Sequence, residues 1–98
     1  MHDPRPLLVF FSSERSGPAR RMDSLLAHLA RKERTRVRIM RVEVEEQPEL
    51  AARFRVEDVP TLVLVKRKKV VDRLDGRASA PKIEAMLARH LPPARAAA

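Results

Sequence analysis

Five consecutive apolar residues, Leu7-Leu8-Val9-Phe10-Phe11, closed by Ser12-Ser13, constrain the fold of this chain more than any other feature. An unbroken run of this length reads as a β-strand buried on both faces, which places it mid-sheet. Thr61-Leu62-Val63-Leu64-Val65 repeats the pattern further along. Two strands of this kind in 98 residues imply one sheet covered by helices, and one compact domain spanning 1–98 with its core over about 7–91.

The intervening segments supply that cover. From Ser16 onward, Met22, Leu25, Leu26 and Leu29 recur at helical spacing, with Arg20, Arg21, Asp23, Arg31 and Lys32 on the opposite side. Ser16 suits the N-cap, Pro18 the first turn, and the basic residues the negative end of the helix dipole. Val37 to Val44 interleaves apolar residues with Arg36, Arg38, Arg41 and Glu43, the mark of a strand with one polar face or an edge position. Pro48 opens a short helix turning Leu50, Ala51 and Phe54 inward, and the Glu43, Glu45, Glu46, Glu49 cluster reads as a feature of its start. Lys66 to Lys69 is a charged turn without the glycine a tight hairpin prefers, and Val70 to Leu74 is the returning strand, ended by Asp75-Gly76. Ile83, Met86, Leu87 and Leu91 give a last helix, stopped by Pro92-Pro93, and the tail 92–98 is expected to be flexible.

The order βαβαββα follows. A full helix between the first two strands makes them parallel through a right-handed crossover, and the last two form an antiparallel hairpin. The expected fold class is α/β, a mixed four-stranded sheet flanked by helices.

From Leu7 to Leu91 these residues resemble the thioredoxin family. An apolar strand ends in a short loop, Gly17-Pro18 opens the long helix, and Val59-Pro60-Thr61 falls where the family keeps its cis-proline loop. The hairpin turn at Lys66 to Lys69 and Gly76 after the last strand match as well. The family's N-terminal strand and helix have no counterpart ahead of Leu7, so the resemblance implies a truncated member.

The departures bear on function. The resemblance places Ser16-Gly17-Pro18-Ala19 where the family carries Cys-Gly-Pro-Cys, Arg15 in place of a tryptophan, and Phe10 in place of a buried aspartate that assists proton transfer. The chain contains no cysteine at all. Thiol–disulfide exchange needs a thiolate to attack sulfur and a second thiol to release the mixed disulfide, and a hydroxyl and a methyl group do neither. A cysteine-substituted form of an active oxidoreductase would have kept the aspartate and tryptophan. A naturally redox-inactive domain fits better.

What remains is the family's groove, bounded by Arg15, Ser16, Gly17, Pro18, Ala19, Val59, Pro60, Thr61 and Gly76. In the family the backbone before the cis-proline pairs with an extended partner segment, an interaction that needs no sulfur. The resemblance therefore implies a protein- or peptide-binding adaptor or chaperone-like module with no catalytic residue, no cofactor and no metal. A vestigial groove, with Pro60 only shaping a loop, is the plain alternative. Some glutathione transferases share the fold and use a serine at a helix N-terminus to stabilise a glutathione thiolate, so thiol-ligand binding at Ser16 is another.

Charge narrows the partners. The formal net charge is +8, carried mainly by arginine, and a field of that sign attracts nucleic acid non-specifically. Arg15, Arg20 and Arg21, or Lys66 to Lys69, would carry such contacts, but no Tyr or Trp is present to stack on bases. Weak, salt-sensitive association at most is expected. The five-residue apolar run is too short for a signal h-region or a membrane span, so a cytoplasmic location and no membrane partner are expected. His2, His28 and His90 lack metal-ligand spacing. The edge strand 37–44 offers a route to a homodimer by sheet extension.

Overall fold

The computed structural model describes residues 3–91. The tail expected to be flexible, 92–98, lies outside the described residues, as does His2. Seven elements follow in the expected order: β1 (Leu7–Ser12), α1 (Gly17–Lys32), β2 (Arg38–Glu43), α2 (Pro48–Arg53), β3 (Thr61–Lys66), β4 (Lys69–Asp75) and α3 (Ala80–His90). They build one sheet in the order β2-β1-β3-β4. β1 runs parallel to β2 and antiparallel to β3, and β3 antiparallel to β4.

Alternation along β1 divides the core into two. Leu8 and Phe10 pack with Met22, Leu26 and Leu29 of α1, Leu62 and Leu64 of β3, and Ile83, Met86 and Leu87 of α3. Val9 and Phe11 face the other way, toward Val42, Val63 and Ala51, with Leu50, Phe54, Val56 and Val59 closing that side. Successive side chains of a strand point to opposite faces, so a strand apolar from Leu7 to Phe11 serves two helical layers at once. Here α1 and α3 form one layer and α2 with its flanking loop the other.

The helix starts follow their capping chemistry. Ser16 lies in an extended conformation, and its Oγ accepts from the Ala19 amide at 3.1 Å. Ser79 does the same for α3, accepting from Lys82 N at 3.4 Å. Arg31 and Lys32 close α1 at the negative end of its dipole. The glutamate cluster, expected to mark the start of α2, is divided instead. Glu43 ends β2, Glu45 and Glu46 lie in the turn beyond it, and only Glu49 stands in the first turn of the helix.

The hairpin is tighter than its sequence suggests. β3 and β4 run up to a pairing of Lys66 with Lys69, leaving a two-residue turn of Arg67 and Lys68 at φ 52° and 68°. A pair of left-handed residues matches the right-handed twist of the strands it joins, which is why Asn-Gly is favoured there. That conformation costs a residue with a side chain about 1–2 kcal/mol, of which glycine's extra unfolded-state entropy takes back about 0.5–1. Lys68→Gly is therefore expected to raise stability by roughly 0.5–1 kcal/mol, read as a higher denaturant midpoint at unchanged slope. A lower midpoint would contradict it.

Polar contacts fasten α3 to the rest. Lys32 Nζ meets Glu84 Oε2 at 3.0 Å, joining α1 to α3. Asp72 on β4 receives Arg89 Nη2 at 2.8 Å and lies 2.9 Å from His90 Nε2. The Arg89 guanidinium holds the Asp72 carboxyl below the usual carboxylate range; partial burial opposes the shift, while His90 and the Arg73 amide reinforce it. A depressed folded-state value means stability that is present above the unfolded value and lost as pH falls through the folded one. Asp72→Asn is expected to flatten the decline in stability between about pH 5 and pH 2. Parallel curves for the two proteins in pH-dependent denaturation would refute that assignment. No helix among the described residues is long and apolar enough to cross a membrane.

Candidate functional site

The C-terminal end of β1 and the N-terminal end of α1 meet in a tight loop. Ser13 is buried, and its Oγ lies 2.9 and 2.8 Å from the two carboxylate oxygens of Glu45 while accepting from the Arg15 amide at 3.1 Å. The Ser16 amide donates to Ser13 O at 3.0 Å, and the Glu14 amide to Glu43 Oε2 at 3.3 Å. Two carboxyl groups, from the end of β2 and the turn beyond it, thus hold the loop from behind. They also act on each other: Glu45 pushes the Glu43 carboxyl up, while Glu43 and then Ser13 hold Glu45 down. Of the two, Glu45 gives up its proton first as pH rises.

The opposite wall descends from the end of α2. Arg55 takes φ 55°, and Val56 N donates back to Ala51 O at 2.9 Å, a left-handed helix cap without glycine. Arg73 of β4 secures that corner, donating to Phe54 O at 2.8 Å and pairing with Asp75 Oδ1 at 2.8 Å. The chain then passes through Val56 to Val59 and enters β3. The Val59–Pro60 peptide bond is cis. Thr61 Oγ1 donates to Asp58 O at 2.7 Å, and Gly76 N to Pro60 O at 2.8 Å.

Between the walls lies an open groove of about 370 Å³, lined by Ser13, Arg15, Ser16, Val44, Glu45 and residues 56–59. Three of the residues anticipated from sequence, Arg15, Ser16 and Val59, line it together. The others support it from below or lie to one side. Gly17 faces a separate shallow hollow with Arg20, Arg21 and Asp23. Pro18 is half-buried in the first turn of α1, and Ala19 has no exposed surface because it shares the inward stripe of Met22, Leu26 and Leu29. Pro60 and Thr61 are buried at the start of a central strand. Gly76, at φ 88°, contributes its amide to Pro60.

Sequence reasoning missed the acidic lining. Glu45, Glu57 and Asp58 come from two loops that carry no periodic signal, and only Arg15 opposes them in charge. For Ser13 a local signal did exist, since a serine three residues ahead of an N-cap is placed to bond backbone within the same loop.

The chemistry open to this arrangement is limited. Ser16 Oγ uses its acceptor capacity to cap α1, and no imidazole lines the groove to draw off its proton. With no cysteine in the chain, dithiol exchange has no nucleophile. What the groove does offer is backbone. Neither the N–H nor the C=O of Val59 takes part in a hydrogen bond among the described residues.

Comparison with known proteins agrees with this geometry. The pattern defining the thioredoxin family matches residues 1–89. The thioredoxin of Alicyclobacillus acidocaldarius is 33% identical over 84 residues, covering 86% of this chain and 80% of its own length. The thioredoxin-like protein slr0233 of Synechocystis is 29% identical over 73 residues, covering 74% and 70%. Among solved structures, Fasciola hepatica thioredoxin superposes with a TM-score of 0.83 at 32% identity, covering 90% of this chain and 83% of that one. The chain belongs to the thioredoxin family, as a member whose sequence has no cysteine.

Proposed function

We propose that this protein is a non-catalytic binding module that holds an extended segment of a partner protein in the groove between Ser16 and Val59. The observation that carries the reading is the unpaired backbone of Val59, facing a groove whose other wall is the start of α1. An extended peptide laid along that wall satisfies both Val59 groups by strand-like pairing, while Val44, Val56 and Val59 supply apolar contact. Binding of this kind runs through main-chain hydrogen bonds and is independent of sulfur chemistry.

Titration of the isotope-labelled protein with an extended peptide tests it. Amide shifts confined to Arg15, Ser16, Val56 and Val59 are expected. Absence of any shift at millimolar peptide, or shifts centred on another face, would remove the groove as a binding site. Thiol-ligand binding at Ser16 has no separate observation in its favour, because accepting from the Ala19 amide is the ordinary role of an N-cap serine.

A further inference from the structure

Building on the peptide-binding reading, we infer that the groove selects an extended segment presenting a lysine or arginine side chain to Glu45, Glu57 and Asp58. The chain as a whole is strongly cationic, at +8. The groove is the reverse: three carboxylates line it against one guanidinium, Arg15. An occupant chosen by overall charge would be acidic. One chosen by the local field is basic, because the Debye length in physiological salt is about 8 Å and screens distant arginines more than adjacent carboxylates.

The state of each carboxylate supports this. Glu57 and Asp58 are exposed and take part in no ion pair among the described residues. They stand on the ridge between the groove and a second hollow formed with Arg55, Arg73 and Asp75. In that hollow Arg73 is already committed to Asp75 and to the carbonyl of Phe54, so it does not neutralise them. Glu45 accepts from Ser13, an uncharged donor, and takes part in no ion pair among the described residues. Both ridge acids immediately precede Val59 in sequence, so a peptide paired to the Val59 backbone brings its own side chains beside them.

Three peptides of equal length, with the same apolar flanks and a central Lys, Gln or Glu, test the inference by calorimetry at low and high salt. The Lys peptide is expected to bind roughly three- to tenfold more tightly than the Glu peptide at low salt, since exposed ion pairs are individually weak. The gap should narrow in about 1 M salt, where the Debye length is about 3 Å. The paired variant Glu57→Lys with Asp58→Lys, altered only at exposed loop positions, should equalise or invert the order. Equal affinity for all three peptides overturns the charge selectivity and leaves the peptide groove standing. Preference for the Glu peptide overturns it in favour of the global charge. No binding by any of the three removes the groove reading itself.

Discussion

Phe10→Ala is expected to lower the unfolding free energy by about 3–5 kcal/mol, and Phe11→Ala by somewhat more. Both rings are essentially inaccessible to solvent, on opposite faces of the same strand. Phe10 is the sole aromatic in the layer beneath α1 and α3, surrounded by Leu8, Met22, Leu26, Leu62 and Leu64. Aliphatic neighbours held in their own rotamers collapse only partly into the space left by a ring, so both the transfer and the cavity contributions are lost. Phe11 has in addition an aromatic partner, Phe54, with centroids 5.6 Å apart and planes inclined at 55°. Such a pair contributes about 0.5–1.5 kcal/mol beyond burial, which sets the order of the two variants. Against a total of about 5–15 kcal/mol for a domain of this kind, either loss is a large fraction. Equilibrium denaturation of the three proteins side by side gives the comparison. A loss below about 1 kcal/mol for Phe10→Ala would mean that this ring is not where the core places it.

The same residues show why the fold was legible. β1 announces itself because it is apolar at every position from Leu7 to Phe11, and only a strand between two layers needs that. For α1, three independent signals agree: a serine cap, a proline in the first turn and a stripe at Met22, Leu26 and Leu29. β2 was read one residue too long at each end, since Val37 and Val44 continue the apolar alternation past the last paired residues. The hairpin turn at Lys66 to Lys69 was legible in place, and only its tight two-residue geometry goes against the missing glycine. Arg67 and Lys68 accept an unfavourable backbone because strand pairing on both sides fixes the register.

The candidate site was legible only in part. Its wall at Arg15 and Ser16 follows from the N-cap, a local feature. Ala19 was placed in the groove because it occupies a family position, although its spacing from Met22 and Leu26 points it into the core. Pro60 and Thr61 lie beneath the groove because the sheet begins there. The acidic wall was invisible, since Glu45 reaches Ser13 across 32 positions and the path of residues 56–59 depends on Arg73 from another strand. Side chains in loops acquire a function from neighbours that no periodicity reveals.

The paired substitution Ser16→Cys with Ala19→Cys is expected to create a slow dithiol reductant where the unsubstituted chain has none. A thiol at position 16 would sit at the N-terminus of a 16-residue helix, where exposed amides and the dipole favour the thiolate. Residue 19 follows one turn later, and its amide already lies 3.1 Å from the residue 16 side-chain oxygen, so a thiol there starts close to the first. Turnover should nevertheless fall about 10²–10⁴-fold short of a dithiol with an acid–base partner, because the core beneath α1, formed by Phe10, Met22 and Leu26, supplies no carboxylate to move the proton. Ser16→Cys alone should form mixed disulfides and stop there, since release requires the second thiol. Insulin reduction with dithiothreitol as electron source, together with the mass of trapped adducts, separates these outcomes. If the paired variant closes its disulfide yet never reduces insulin, the groove fails to admit a polypeptide in the required orientation, and the binding reading weakens with it. Turnover by the unsubstituted chain would instead show that an oxygen and a methyl group suffice, contrary to the chemistry of sulfur exchange.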